Sequence, residues 1–449
     1  MANLTVALGN FFELGCPSGT RALAFASSEL TPAQSEVAQR FLKDAEGFCA
    51  GSGGHVDATG RGRSRLLELI QGLGSGYGTA PQTVKQIKTV TIAQDVEVDK
   101  ISVPAKAGLL RTADMMAPER AKVFKDLRSI ILPSEDVPRV AIKACHKIDA
   151  EEELRFVQLL LGRNMGVLIC EDDIDRHPVS QQLLRGGVFA VPHKPGKLRL
   201  IYDRRAQNEL EKCLADEWLW LPHGSQYCDM LLDKRQGVRG CADDLSCWFY
   251  QLAHERDWWR RQAVGRRIPG SRFTHLGTES GKNYRLCLRV VAMGDTNGVP
   301  FAQEAHEFML RAADLLGDRQ VLRFGKTVPH GDLWEGAFVD DHIFSLQVDL
   351  PRLACTPGHD PSCPHCASDA GRLPDVCAVE ALEDTYKRFG AEQSESKRVR
   401  FQPTFVAWGT EVQGRVGRVG VNCDKRRQIA RLCFSVVARG FCTKMSYSP

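Results

Sequence analysis

Regular spacing of apolar and polar residues begins after about Met116. Asp149 is placed to cap a helix, with Glu152 three residues on, and Leu154, Val157, Leu160 and Leu161 fall on one face until Gly162. Two strands are predicted around the turn HKPGK at 193–197, with VFAV at 188–191 before it and LRLIYDRRAQN at 198–208 after it. GCADDLSCWFYQL at 240–252 starts as a short strand that ends near a carboxylate; Asp243 and Asp244 capping a helix is the other reading. A basic, loop-rich insertion over 257–283 precedes the strand RLCLRVVAM at 285–293 and a polar turn, Gly294–Gly298. Phe301, Ala305, Phe308, Ala312 and Leu315 then make one apolar face of a helix from about Pro300 to Leu316. WEGAFVDDHIFSL at 334–346 reads as a tight β-hairpin with Asp340 and Asp341 at its tip. A helix at about 378–389 follows. TFVAWGTEV (404–412) and GRVGRVGV (414–421) form a second hairpin, and a basic helix from Lys425 to Arg439 closes the pattern.

The preceding stretch is poor in signal. Gly-Ser-rich pieces, Gly51–Gly54 and Gly72–Gly78, bracket a short helical run at Ser64–Ile70, and GRGRSR at 60–65 could touch phosphates but reads first as a solvated linker. The whole chain has 449 residues, 43% apolar and 25% charged, which is ordinary for a globular protein with several compact units. A net charge of +4 points only weakly to nucleic acid, but DWWRRQAVGRRIPGSRF at 257–273 interleaves arginine with aromatics. Sixteen cysteines form no even framework, and neither a secretory leader nor a long apolar run is present. An intracellular protein of nucleus or cytoplasm with reduced thiols and no membrane partner is expected, rather than a secreted one.

Candidate chemistry lies in three places. Asp340 and Asp341 are carboxylates close enough to repel unless a cation sits between them, which suits a hard divalent metal. The turn at 193–197 carries His193, Lys194 and Lys197, with Arg199 next, a set able to fold over phosphates. Cys355, His359, Cys363 and Cys366, spaced C-x3-H-x3-C-x2-C in an irregular Pro-containing loop, match a structural zinc site in ligand type and number.

The order of these pieces resembles the palm and fingers of reverse transcriptases of the retrotransposon type, over roughly 187–421. DDLSCWFYQL, with Asp244, Leu245, Phe249 and Gln251, is similar to motif A, D-h-x-x-x-(F/Y)-x-Q. MGDTNGVPFAQ, with Gly294 and Gln303, resembles motif B, and FVDD resembles (F/Y)-x-D-D of motif C. RLIYDRRAQN is similar to the fingers strand through Arg199, Asp203, Arg205 and Asn208. Lys397 falls where motif D has a lysine, and FVAWGTEVQGRVGRVG resembles the primer-grip hairpin. Two departures stand out: Val299 occupies the usual motif B proline position, and the phosphate-binding fingers lysine falls between His193 and Lys194.

The resemblance implies an α+β fold: a right-hand polymerase palm, an antiparallel sheet backed by helices, with fingers, a short or truncated thumb and an irregular N-terminal extension. Its divisions would be 1–115, a partly disordered extension; 116–239, fingers and N-terminal helices; 240–350, palm core; 351–378, a Cys/His-rich insertion; 379–422, remaining palm and primer grip; and 423–449, the start of a thumb. It also implies two Mg²⁺ or Mn²⁺ ions on Asp244, Asp340 and Asp341, and Lys397 as a general acid for pyrophosphate. Lys194 or Lys197, with Arg199, would hold the triphosphate, Phe249 would exclude a 2′-hydroxyl, and Gly294 and Gln303 would shape the nucleotide pocket. Trp408 and Gly409 would seat the primer on an RNA or DNA template, with dNTPs as substrate. Two other readings remain: a catalytically inactive or truncated polymerase-derived nucleic-acid-binding protein, and a zinc-stabilised binding module.

Overall fold

The computed structural model describes residues 93–356, 363, 373–422, 425, 426 and 428. The chain divides into two compact units, Ile92–Trp408 and a second made of Met1–Thr91 with Gly409–Pro449. The secondary structure is mixed, α+β, and its sheets are almost wholly antiparallel.

In chain order the first unit contains β1 (Leu110–Arg111), α1 (Pro118–Lys125), α2 (Ala150–Gly162), β2 (Gly166–Cys170), β3 (Gly187–Pro192) and β4 (Leu198–Asp203). There follow β5 (Gln236–Asp244), β6 (Leu252–Ala253), β7 (Ala263–Pro269), β8 (Asn283–Leu288) and α3 (Gly298–Arg311). The hairpin strands β9 (Leu333–Phe338) and β10 (Asp341–Asp349) come next, then α4 (Pro374–Phe389), β11 (Val399–Gln402) and β12 (Thr404–Ala407). In the second unit β13 (Thr410–Gln413) pairs with β14 (Arg418–Gly420).

A four-stranded antiparallel sheet in the order β11-β5-β10-β9 is the frame of the first unit. Its strands alternate faces. One face presents Cys241, Phe344, Leu346, Leu333 and Ala337 to Ala302, Ala305 and Met309 of α3 and Leu382 and Tyr386 of α4, all in one buried cluster. Apolar residues recurring at helical spacing on α3 make that contact, which is why the helix lies flat on the sheet. A second core joins Phe156, Val157 and Leu160 of α2 to Val188, Leu200 and Tyr202 of the β3–β4 hairpin and Leu286 and Leu288 of β8. That helix starts where Asp149 accepts a hydrogen bond from the Glu151 amide. Glu152 does not close the expected capping box; one of its carboxylate oxygens takes the Val98 amide at 2.7 Å instead.

Several expectations shift. Residues 93–115 belong to the folded body: Val96, Ile101, Ala107 and Leu110 are buried and β1 pairs in parallel with β6. The insertion after Asp257 is less loop-like than its charge suggested, because β7 pairs with β8, which pairs with β2. Asp243 and Asp244 end a strand and cap no helix. TFVAWGTEV is two strands, because Trp408 (φ 46°) and Gly409 (φ 79°) both turn left-handed between β12 and β13. Only residues 425, 426 and 428 of the expected closing helix are described, and the readings made on 1–92 lie outside the described residues. Among the described residues, no helix is long and apolar enough to cross a membrane.

One glycine fixes how the hairpin β3–β4 meets the turn that leads into α3. Gly294 has φ +116°, and a Cβ there would sit 2.0 Å from the Tyr202 carbonyl oxygen. Its own carbonyl accepts from the Asn208 side-chain amide at 2.8 Å. Replacing Gly294 by alanine should therefore lower stability by roughly 3 kcal/mol, read as a lower urea midpoint; an unchanged midpoint would show that this approach is not needed.

Candidate active site

The site is built at one end of the central sheet. In β5, Asp243 and Asp244 are consecutive, so they face opposite sides. Asp243 points to the helical side, where Arg400 binds both its oxygens at 2.8 and 2.9 Å. Asp244 points to the other side and stands directly opposite Asp341 in the β5–β10 register. Paired residues in such a ladder have Cβ atoms about 5 Å apart. The hairpin tip is Val339-Asp340, so Asp341 is the first residue of β10 rather than part of the turn. Three carboxylates thus converge. Asp244 is buried, while Asp340 and Asp341 are half-buried at the solvent edge.

The tip is held from behind. Val339 has φ 57°, a left-handed conformation that is costly for a β-branched residue. Its amide donates to Gln303 Oε1 at 2.7 Å, and the same Gln303 side chain donates from Nε2 to the Ala337 carbonyl at 2.9 Å. The Val339 carbonyl accepts from His306 Nδ1 at 2.9 Å. Since that nitrogen carries the proton, His306 Nε2 accepts from the Tyr386 hydroxyl at 2.6 Å. Burial and nearby His342, against the opposing bond to Val339, push His306 down to about 3, so it stays neutral. The amide and the carbonyl of Val339 are thereby both held by α3, with Tyr386 of α4 behind His306.

Cations surround the acidic end. Lys397 Nζ, on the exposed turn before β11, donates to Asp244 Oδ2 at 2.5 Å. Burial opposes its charge, but the bond to Asp244 and the charges of Asp340 and Asp341 hold it above the usual lysine range. The β3–β4 turn reaches the same neighbourhood. Arg199 lies close enough to act on the charge of Asp340, and Arg199, Lys194 and Lys397 all depress His193 after its burial has done so. His193 Nδ1 accepts from Arg199 at 3.1 Å, while Lys197 turns away to the Asp99 carbonyl at 3.5 Å.

The carboxylates feel each other strongly. Burial, then the charge of Asp244, raises Asp340. Burial, then Asp340 and Asp244, pushes Asp341 up to about 7. Oxygen donors whose mutual repulsion is this large are the donor set a hard divalent cation relieves. Among the described residues no group of three or more His, Cys, Asp or Glu side chains is closed around a metal-sized point. Lys397 supplies the counter-charge that Asp244 has.

The remaining sequence candidates fall out as follows. Phe249, half-buried, lies against Gly298: a Cβ on that glycine would meet its ring at 3.4 Å. Gly294 and Gln303 are both turned to backbone, the one to Tyr202 and the other to the hairpin, and Gln303 is buried. Trp408 stacks across Gly336, where a Cβ would meet its ring at 2.7 Å, and lies 6.2 Å from the Tyr227 ring. Gly336, Asp341 and Asp244 share a face by register, so Trp408 covers the same side of the sheet that carries the carboxylates. Gly409 belongs to the second unit. Of the zinc quartet, Cys355 and Cys363 have their Sγ atoms 4.0 Å apart, and His359 and Cys366 lie outside the described residues.

Sequence reading missed His306, Tyr386 and Arg400. His306 was within reach of it, since it sits one helical turn after Gln303 and therefore shares its face. Gln251, noted only as part of a motif, ties the strand end to the segment before Lys397: its amide donates to the Ser246 and Glu392 carbonyls and accepts from the Glu392 amide.

No protein-family model matches the chain, and no curated protein matches it. Among solved structures it is similar to one described as "Structure of the foamy viral protease-reverse transcriptase dRH in complex with ds DNA", with a TM-score of 0.35 and 15% identity over 69% of this chain. The match covers 44% of that chain, so this sequence spans less than half of it.

The shift at Asp341 gives a pH dependence of definite sign. The unfolded chain loses this proton near the ordinary value of 3.8, and the folded chain keeps it to about 7. The folded state binds more protons across that window, so in the absence of divalent ions stability falls as pH rises through it. Asp341→Asn should remove this term: with chelator present, its melting temperature should exceed the parent's by more at pH 8 than at pH 5. An equal difference at both would mean that the fold does not raise the proton affinity of Asp341.

Proposed function

We propose that this chain is the polymerase region of a retrotransposon-type reverse transcriptase, adding dNTPs to a primer 3′-hydroxyl on an RNA or DNA template. One observation carries the reading: Asp244 opposite Asp341, with Asp340 adjacent, at the solvent edge of an antiparallel sheet whose other face is packed on helices. On this reading the sheet is the palm and the β3–β4 hairpin belongs to the fingers. Asp244, Asp340 and Asp341 would hold two Mg²⁺ or Mn²⁺ ions. When bound, the cations lower the pKa of the primer hydroxyl and neutralise charge on the leaving pyrophosphate.

The chain's own residues do the rest by position. Arg199 and Lys194, exposed beside the carboxylates, bind the β- and γ-phosphates, with the guanidinium supplying paired donors. Lys197 takes part only by leaving the Asp99 carbonyl. Lys397 stays protonated because of its carboxylate neighbours, so it can donate to pyrophosphate as it leaves Asp244. Phe249 lies under the sugar and its bulk disfavours a 2′-hydroxyl. Trp408, on the same sheet face, seats the primer end. Gln303 acts through the backbone of the hairpin and not on the nucleotide, and Gly294 through the fit of β4.

A structural zinc in the 351–378 insertion is a second part of the proposal, supported by the 4.0 Å separation of Cys355 and Cys363 Sγ, about what two thiolates on one tetrahedral ion require. The purified chain should then contain stoichiometric zinc by elemental analysis, lost in a Cys355→Ser, Cys363→Ser chain; a zinc-free parent would remove this part.

Primer extension on an RNA template with magnesium or manganese tests the main reading, with dNTPs and rNTPs compared. Asp244→Asn or Asp340→Asn should each abolish extension, a loss of at least about a thousandfold, while the melting transition remains cooperative. The parent should favour dNTPs. Normal extension by either variant would sink the assignment, and a folded parent that binds nucleic acid but never extends would favour the inactive binding protein.

A further inference from the structure

We infer that a cleft beside α1 is a second anion site, built to take phosphate groups of a nucleic-acid strand or nucleotide, and made of none of the strands that carry the carboxylates. It encloses about 770 Å³ between α1 with the chain that follows it, the loop at Asp175, and the single helical turn Arg256–Trp259 with the residues after it. Five cationic side chains, Lys122, Lys125, Arg128, Arg260 and Arg261, line it against three aspartates.

The walls are fixed. Trp258 is fully buried, its indole N–H donates to the Phe124 carbonyl of α1 at 2.8 Å, and the two rings lie 5.6 Å apart. Phe301 of α3 closes on both rings edge-on. The cleft therefore exists before any ligand arrives.

Its charges are only partly matched. Arg128 pairs with Asp126 at 3.1 Å. Arg261 is 5% exposed; its Nη1 lies 3.5 Å from Asp175, and its Nε, 3.7 Å from Glu211, is turned into the core and not into the cleft. Lys122, Lys125 and Arg260 make no ion pair among the described residues. These three are exposed, so their donors are open to an anion that enters the cleft. The planar guanidinium of Arg260 can bind a phosphate through two donors, as the point charge of an ammonium cannot. The volume exceeds what one inorganic ion needs, which points to a strand or a nucleotide. The neighbouring Arg260 and Arg261 belong to the arginine–aromatic stretch at 257–273, which the carboxylate site does not use.

The test uses the full chain in chelator, so that no divalent ion bridges nucleic acid to the carboxylates. Anisotropy of a fluorescent oligothymidylate is followed against salt for the parent and for Lys122→Gln, Arg260→Gln, both exposed positions. Expected is a roughly tenfold weaker affinity, with a salt slope smaller by about 0.7 for each phosphate that is no longer neutralised. In the parent, mass spectrometry should show that the oligonucleotide slows phenylglyoxal modification of Arg260. Equal protection by ADP would identify a nucleotide as the ligand, and protection by the oligonucleotide alone a strand. Parent-like binding by the variant, or unprotected Arg260 with both probes, overturns the proposal. Neither readout requires catalysis, so a chain inactive in primer extension still tests it.

Discussion

Two carboxylates face each other across an antiparallel ladder, and the rest of the first unit makes that tolerable. Asp244 opposite Asp341 is a like-charge pair, which costs stability wherever it occurs in a sheet. It persists because β5 and β10 stay in register along their full lengths and bury Cys241, Phe344 and Leu346 on α3 and α4. A slip by one residue would turn that apolar set outward. The hydrophobic face thus holds the charged edge in place, and Lys397 neutralises part of what remains.

The hairpin tip shows the same division of labour. Val339 adopts a backbone conformation that its side chain disfavours, and three hydrogen bonds made by Gln303 and His306 define it. Those donors and acceptors come from the buried side of the sheet, with Tyr386 completing the line. The carboxylates are therefore aimed by groups buried behind them. The strained residue thus lies directly beside the cluster of titratable groups. On the buried face His306 is held uncharged, and Asp243 is matched by Arg400.

Much of this was legible along the chain, because it depends on local pattern. The α2 and α3 helices follow from apolar residues at helical spacing; α2 begins after Asp149 as expected, whereas α3 begins at Gly298, two residues before Pro300, and ends at Arg311, short of Leu316. The hairpins at 187–203 and 333–349 follow from apolar runs on either side of a turn. Less legible was the N-terminal boundary. Val96, Ile101 and Ala107 are buried through isolated bridges and loop packing that carry no periodicity. The division at Trp408-Gly409 was hidden too: Trp408 has strand propensity, and its left-handed turn is supported by packing on Gly336, far away in sequence.

By itself the sequence determined which residue types could do chemistry and in what order they arrive: a cationic turn, an aspartate at a strand end, an acidic pair, a lysine. Which of two adjacent aspartates faces the site, and which is matched to Arg400, was decided by the pleat of β5 within the assembled sheet. The same holds for Gln303 and His306, whose role depends on where α3 lies on β9 and β10. Spacing along a chain fixes local conformation; the meeting of groups hundreds of atoms apart depends on how apolar faces pack, and only the tertiary structure settles that.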